Sequence, residues 1–340
     1  MLSMRQHHSL LDCNTLAIDA RAHRYCSVTS LGELREALDY ARGEQLPVLV
    51  LGGGSNCVFS GDYPGLVVHM QNRGLVVDEV NGQPLLRVGA GENWDELVRK
   101  CLDDGLYGLE HLIAIPGSVG AAPVQNIGAY GVELSRCLHW VEGWDIDRGC
   151  LRRLSASDCK LAYRDSIFKG ELRDRFVITE VALQLHRRAQ TQAAYPVLRD
   201  YLLAAGESVD SVHPRVLAEA VAAIRASKLP DYQREPNAGS FFKNPLVSAE
   251  QAADLLHRWP ELAHWPMADG RVKLAAAWLV DCCGWKGRRR GPVGVHPHQA
   301  IVLVNYQRGS GEQLLALADA IIDSVNERFG VCLEIEPRVY

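Results

Sequence analysis

The sequence predicts a globular chain of mixed helices and short strands, divided into two or three domains and not built on a dinucleotide fingerprint. Three observations carry this. Apolar residues recur at helical spacing behind capping residues in several places, and elsewhere form short runs or alternate with period two. The chain has 340 residues, more than one ordinary domain of roughly 100–200 residues. The nearest approach to Gly-x-Gly-x-x-Gly, at Gly89-Ala90-Gly91-Glu92-Asn93-Trp94, has Trp94 where the third glycine belongs.

The first helix starts at Ser30 and Glu33, a capping-box pattern ahead of Leu34, Ala37, Leu38 and Ala41, and stops at Gly43. Residues 46–51 are an apolar run of strand length. Leu51-Gly52-Gly53-Gly54-Ser55-Asn56 follows at once. Strand, tight turn and bare amides in succession can cradle anionic oxygens. Taken alone, the three glycines equally describe a plain turn. Asn93 or Glu92 starts the next helix, which carries Leu97, Val98, Cys101 and Leu102 and ends at Gly105.

Residues 115–131 read Ile-Pro-Gly-Ser-Val-Gly-Ala-Ala-Pro-Val-Gln-Asn-Ile-Gly-Ala-Tyr-Gly. Small side chains bury little area, so such a stretch calls for a large flat ligand to fill its space. A long irregular loop is the alternative. Residues 139–147 and 175–186 read as strands. Between them lies Tyr163-Arg164-Asp165-Ser166-Ile167-Phe168-Lys169, where Arg164 alone suggests a surface ion pair with Asp165.

Tyr195-Pro196 opens a short helix, and residues 206–210 mark a composition shift that serves as a domain boundary. Pro214 fits the first position of a helix with Leu217, Val221 and Ile224 on one face, halted by Pro230. A loop follows, Asn237-Ala238-Gly239-Ser240-Phe241-Phe242-Lys243-Asn244-Pro245, with a hydroxyl, a cation and an amide close together. Ser248 and Gln251 cap a helix with Leu255 and Leu256. Residues 273–280 read as one nearly all-apolar helix ended by Gly284. Residues 286–290 are basic, a solvated loop unless one cation meets a phosphate. His296-Pro297-His298 has ligand-like spacing without an evident third ligand. Ser310 and Gln313 cap the last helix, with Leu317, Ile321, Val325 and Phe329 inward and Gly330 past its end. The tail alternates with period two: Val331, Leu333 and Ile335 on one face, Glu334, Glu336 and Arg338 on the other.

Composition narrows the classes. The net charge of -5 argues against general nucleic-acid binding. No apolar run reaches the length of a signal peptide or a membrane span, so a cytoplasmic chain without membrane insertion is expected. The 10 cysteines are scattered and none forms Cys-x-x-Cys, which favours reduced thiols and no metal site.

Taken together these stretches resemble one family, UDP-N-acetylenolpyruvoylglucosamine reductase, also called UDP-N-acetylmuramate dehydrogenase. The resemblance rests on Leu51-Gly-Gly-Gly-Ser-Asn56, residues 115–131, Tyr163-Arg-Asp-Ser-Ile-Phe-Lys169 and Gly239-Ser-Phe-Phe-Lys-Asn-Pro245, in that order, and runs from Asn14-Thr15 to Glu336. Tyr195, and Ser240 in place of cysteine, suggest its type I branch. The departures are Leu16 after Asn14-Thr15, Tyr232 after Pro230-Asp231, and Ala277 before the Trp-Leu pair. None is a proposed acid, base or phosphate contact.

The resemblance implies an α+β fold: two α+β subdomains of the FAD-binding, vanillyl-alcohol-oxidase type and a C-terminal α+β substrate-binding domain. Residues 1–70 would form the first flavin subdomain, with 331–340 returning near the site. Residues 71–210 would form the second, and 211–330 the substrate domain. It implies non-covalent FAD, NADPH as hydride donor, and reduction of UDP-N-acetylglucosamine enolpyruvate to UDP-N-acetylmuramate by a monomer. Gly52, Gly53, Gly54, Ser55 and Asn56 would hold the FAD diphosphate. Pro116, Gly117, Ser118, Gly120, Ala122, Gly128 and Arg225 would line the rest of the flavin.

Hydride added at C3 pushes charge onto the substrate carboxylate, which fixed cations and donors stabilise. Arg164 and Glu336 would serve that charge, Glu336 in a protonated or proton-sharing form that burial favours. Ser240 would protonate C2, recharged by a neighbour because a free hydroxyl is a weak acid. Tyr195, Lys228 and Asn244 would contact the diphosphate and sugar, with Lys286 and Gln299 as further substrate positions. Two other readings remain open. A flavin oxidase of the same fold group would explain the glycine loop but not Ser240, Lys228 and Glu336 together. A flavin-binding module without catalysis would not need Ser240 or Glu336.

Overall fold

The computed structural model describes residues 2–190 and 193–340, which group into two units. The first comprises Met1–His8, Ala22–Gly53 and Pro64–Ser227. The second comprises Ser9–Arg21, Gly54–Tyr63 and Lys228–Tyr340.

Among the described residues the first unit carries two larger sheets, beside a two-stranded pairing of Gly128–Ala129 with Val132–Glu133. One orders the strands Arg5–Ser9, Arg21–Val28, Tyr63–Met70 and Val48–Leu51. The last two run parallel, with Leu51 opposite His69. Helix Leu31–Gly43 buries Leu34, Ala37 and Ala41 against Cys26, Val28, Leu66 and Val68. Its start forms only half a capping box. The Ser30 hydroxyl accepts from the Glu33 amide at 3.2 Å, while the Glu33 carboxylate turns to the Thr29 amide and hydroxyl, both at 2.7 Å.

The other sheet is antiparallel throughout, in the order Cys150–Ser155, Leu138–Asp145, Phe176–Gln184, Gln83–Gly89 and Leu75–Val80. Leu86, Val88, Val141 and Val181 from its strands share one core with Leu97 and Val98 of helix Trp94–Asp103 and with Leu217, Val221 and Ile224 of helix Pro214–Lys228. The residue that starts helix Trp94–Asp103 is Asn93, whose side chain accepts from the Glu96 amide at 3.0 Å. Trp94 is 1% exposed and its indole N–H donates to the Leu112 carbonyl at 2.8 Å. A packed side chain therefore occupies the position where a dinucleotide fingerprint needs empty space.

The second unit is built on three small sheets. The first orders Asn237–Ser240, Val302–Asn305, Val293–Val295 and Arg289–Arg290, antiparallel. The serine stretch, expected as a loop, thus ends an edge strand, with a register break between Asn237 and Ser240. The second sheet is Leu246–Val247, Val272–Leu274 and His264–Pro266. It corrects the helix expected over residues 273–280. Lys273 and Leu274 pair with Leu246, Trp265 and His264, and the helix spans Ala276–Cys282. Two flanking strands from elsewhere in the chain outcompete one further helical turn. The third pairs Arg338–Val339 in parallel with Cys57–Val58.

Helix Gly311–Phe329 has the full capping box from Ser310 and Gln313 and ends at Gly330 in the left-handed conformation. In the tail the alternation is present: Val331 and Leu333 are buried, Cys332 and Glu334 exposed. Ahead of strand Arg338–Val339, pairing is limited to one bridge, Ile335 with Phe242, flanked by bonds from the Lys243 amide to the Glu334 carbonyl and the Glu336 amide to the Phe241 carbonyl.

Candidate active site

The residues singled out by the sequence fall into two groups, one in each unit. In the first unit the glycine loop meets the small-residue stretch backbone to backbone. A Cβ on Gly52 would lie 2.1 Å from the Ser118 Oγ, and one on Gly53 would lie 2.8 Å from the Gly117 Cα. The stretch is itself laced to the turn before helix Trp94–Asp103. The Trp94 amide donates to the Gly117 carbonyl, the Val119 amide to Glu92 and the Gly120 amide to Ala90. A Cβ on Gly120 would lie 2.6 Å from that of Ala90. Val119, Ala122 and Ile127 enter the core, while Pro116 and Gly53 stay exposed. The outcome is close-packed main chain at Gly52, Gly53 and Gly117, exposed at Gly53. Exposed main-chain amides in such a turn can cradle anionic oxygens.

In the second unit Gly54 has φ +60°, and a Cβ there would lie 1.9 Å from the Cys13 carbonyl oxygen. The Gly54 carbonyl accepts from the Thr15 amide at 3.2 Å, and Asn56 accepts from the Arg338 amide at 3.0 Å. Ser55 is half-buried beside them.

The first unit also gathers Arg164, Gly128, Arg225, Tyr130 and Tyr195. Arg164 has φ +53°, a costly conformation for a long side chain. It donates through Nη2 to the Gly128 carbonyl at 3.0 Å, not to Asp165, whose carboxylate accepts from the Ser166 amide. Asn126, 0% exposed, holds this turn in place: its amide nitrogen donates to Glu133 and to the Ala162 carbonyl, and its oxygen accepts from the Ser135 amide. Arg225 donates to the Ala114 carbonyl at 3.3 Å, and no ion pair holds it among the described residues. Burial lowers its pKa, with Tyr130 raising it and the Arg164 charge lowering it further. Burial raises the Tyr130 phenol, which stands edge-on to Tyr195 with centroids 5.6 Å apart. A guanidinium without an ion pair can take up an anion.

In the second unit Ser240 follows Gly239, whose φ is +69°. Asn237, 4% exposed, fastens this corner: its nitrogen donates to the Pro230 and Glu235 carbonyls, and its oxygen accepts from the Gly239 amide at 2.8 Å. No hydrogen bond engages the Ser240 hydroxyl among the described residues. Glu336 is fixed by its amide on the Phe241 carbonyl, one residue from Ser240. Lys243 is paired with Glu334 instead. Lys228 ends its helix, half-buried and without an ion pair among the described residues. The Asn244 oxygen accepts from the Ala276 amide at 3.0 Å, capping helix Ala276–Cys282 and leaving its NH2 for other partners. Lys286 pairs with Asp281, and Gln299 is half-buried, its carbonyl accepting from the Val302 amide. Sequence reasoning missed Asn126 and Asn237. Their signal was only an asparagine beside glycine or turn formers, which suits a side chain that bonds nearby main chain.

Elsewhere, Arg288 lies over Trp285 and Arg289 over Tyr306, so the basic run is partly stacked. The His296 ring accepts from the His298 amide, and no three candidate ligands converge on a metal position among the described residues. The described cysteines are free, and burial pushes the Cys26, Cys57, Cys101, Cys137 and Cys159 thiols up to about 12. No described helix is long and apolar enough to cross a membrane.

Comparison with known proteins adds the following. The profile of the UDP-N-acetylenolpyruvoylglucosamine reductase C-terminal domain matches residues 231–340, and that of an FAD binding domain matches residues 22–155. The UDP-N-acetylenolpyruvoylglucosamine reductase of Chromobacterium violaceum is 47% identical over 340 residues, covering 99% of each chain. That of Pseudomonas aeruginosa is 46% identical over 340 residues, covering 100% of this chain and 99% of its own. The crystal structure of UDP-N-acetylenolpyruvylglucosamine reductase from Thermus caldophilus superposes with a TM-score of 0.68 at 22% identity, over 100% of this chain and 99% of that one, a likeness of fold.

Proposed function

The chain belongs to the UDP-N-acetylenolpyruvoylglucosamine reductase family, and from that premise we propose how its residues divide the reaction. It is a flavoprotein oxidoreductase with the α+β, FAD-binding fold. It reduces UDP-N-acetylglucosamine enolpyruvate in peptidoglycan precursor synthesis, using FAD. In our reading residues 1–70 and 71–210 serve the flavin and 211–330 the sugar nucleotide. The protein works as a cytoplasmic monomer with non-covalent FAD and with NADPH as donor.

The observation that carries the reading is the close approach of Gly52 and Gly53 to Gly117 and Ser118. Main chain alone faces outward there, and amides of residues 52–56 would take the diphosphate. Pro116, Gly117, Ser118, Gly120, Ala122 and Gly128 would line the remainder, with Arg225 at its edge. FAD held by these residues would supply hydride chemistry at C3 of the enolpyruvyl group, with NADPH as donor.

The chain's own residues do the rest. Arg164 is held rigidly by its main-chain conformation and its bond to Gly128, so its charge needs no reorganisation when the substrate carboxylate gains electron density. Glu336, carrying or sharing a proton, donates to the same carboxylate. Ser240, whose hydroxyl has no competing partner among the described residues, gives its proton to C2. Lys228 and the free NH2 of Asn244 bind the diphosphate and sugar, with Tyr195, Lys286 and Gln299 completing the contacts.

An anaerobic titration tests this. NADPH bleaches the visible flavin band, and UDP-N-acetylglucosamine enolpyruvate restores it promptly. A band that bleaches and stays bleached until oxygen enters would overturn the substrate assignment and favour an oxidase.

A further inference from the structure

We propose that Lys169 is a positioning residue for Arg164: its ammonium holds the Arg164 carbonyl and so fixes the left-handed backbone from which the guanidinium is presented. The inference rests on the reading of Arg164 as the group that stabilises charge on the substrate carboxylate.

Ala162 and Asp165 exchange main-chain bonds, at 3.0 and 3.2 Å, and close a turn with Tyr163 and Arg164 at its centre. Arg164 takes the third position of that turn, with φ +53°. Glycine or asparagine usually sits at a third position of that sign, because a larger side chain crowds the main chain there. An arginine in such a place persists only where its surroundings over-determine it. Restraints are therefore needed at both ends of the residue, on the guanidinium and on the main chain.

The guanidinium end is held at Gly128, through Nη2 to the carbonyl at 3.0 Å. The approach is close on the other nitrogen too, since a Cβ on Gly128 would lie 3.2 Å from the Arg164 Nη1. The guanidinium carbon stands 5.5 Å from the centre of the Tyr163 ring. The main-chain end is held by Lys169, whose Nζ donates to the Arg164 carbonyl at 3.0 Å.

Lys169 is half-buried and springs from a fixed root. Its amide donates to the Ser166 carbonyl at 3.1 Å. Ser166 is 5% exposed, and its hydroxyl donates to the Val124 carbonyl at 2.6 Å and accepts from the Phe168 amide at 3.1 Å. The Ile167 amide donates to the Cys159 carbonyl at 3.0 Å. The ammonium thus reaches the turn from anchored structure, on a stem long enough to span it.

The residue type matters. A bond from an ammonium to a carbonyl is charge-assisted, stronger than one from a neutral donor. Turning the Arg164 carbonyl away changes ψ at that residue, and the side chain then leaves a different point of the turn. A guanidinium that must swing back as the substrate carboxylate gains electron density loses the advantage of being aimed beforehand.

The test follows both half-reactions of the purified holoenzyme by anaerobic stopped-flow absorbance: flavin reduction by NADPH, then reoxidation by UDP-N-acetylglucosamine enolpyruvate. Lys169→Met, which keeps the stem and removes the ammonium, slows reoxidation roughly tenfold, the scale of one lost hydrogen bond from a charged group. Reduction by NADPH and FAD affinity stay at the wild-type level. Lys169→Arg keeps a cation of similar reach and recovers most of the rate. Arg164→Ala slows reoxidation more than any Lys169 variant. Adding Lys169→Met to it slows nothing further, because the lysine acts only through the arginine. Lys169→Gln, a shorter and neutral donor, falls between Lys169→Met and the wild type, and takes its place in the cycle should Lys169→Met not fold. Wild-type reoxidation in Lys169→Met beside a slow Arg164→Ala overturns the inference and leaves the role of Arg164 standing. A slowing that persists undiminished in the Arg164→Ala background overturns it as well. So does equal slowing of both half-reactions, the mark of a merely structural residue. If Arg164→Ala itself reoxidises at the wild-type rate, the reading of Arg164 fails and the role of Lys169 with it.

Discussion

A Cβ on Gly53 would lie 2.8 Å from the Gly117 Cα, whereas a Cβ on Gly239 would meet nothing within 4 Å. The first glycine is required for room, since two main chains touch there. The second is required for conformation, since its φ of +69° suits few other residues. The flavin diphosphate end, as we read it, is close-packed backbone where Gly52 and Gly53 meet Gly117 and Ser118. The proton-donating side is a hydroxyl in open surroundings, aimed by the Asn237 clamp. A rigid cofactor suits the first design, and a substrate that must enter and leave suits the second.

The comparison is broken most sharply at Ser240. Ser240→Ala should leave flavin reduction by NADPH near normal and slow reoxidation by substrate by roughly a hundred- to ten-thousandfold, the usual weight of a positioned acid. Stopped-flow absorbance separates the two halves, and equal slowing of both would remove the assigned role. Gly53→Ala comes next. The Gly117 backbone has to give way, so flavin affinity should fall by about ten- to a hundredfold, the cost of overpacking. Equilibrium dialysis of FAD measures it. Gly239→Ala is smaller still. With open space around the new methyl, only the left-handed backbone is penalised, by about 1–2 kcal/mol. Denaturant unfolding should register that loss, and flavin affinity should not change.

The smallest effect lies away from both regions, at Glu110. This residue is 6% exposed and burial raises its carboxyl above the ordinary glutamate value, against bonds from main-chain amides, its own and that of Gly108. The folded state therefore holds the proton more tightly than the unfolded chain. Stability from this group is greatest below about 4.5, the ordinary glutamate value, and declines as pH rises through the elevated folded value. Glu110→Gln should abolish that decline. Thermal melts of both proteins across the acidic range compare the slopes, and parallel curves would refute the assignment.

Local signals were legible in the sequence. Ser30, Ser248 and Ser310 cap helices because an N-cap bond spans only three residues. The motifs that carry the family resemblance were legible for the same reason, each lying within one short stretch. What was hidden depends on distant pairing. Residues 273–274 are apolar like a helix, and only the strands at Leu246–Val247 and His264–Pro266 pull them into a sheet. The serine stretch looks like a loop until Val302–Asn305 is placed beside it. The clamp made by Asn126 was hidden because one of its partners, the Ala162 carbonyl, is brought to it by the fold, whereas the bonds of Asn237 are local and its signal was only a weak one.

The pairing of Val58 with Val339 has a consequence for the order of assembly. Cys57 and Val58 find their sheet neighbours only when synthesis has reached Arg338 and Val339. The Arg338 amide that holds the Asn56 carbonyl arrives equally late. Contacts of such sequence separation close slowly. The stretch that follows the glycine run must wait unpaired through synthesis of the residues in between.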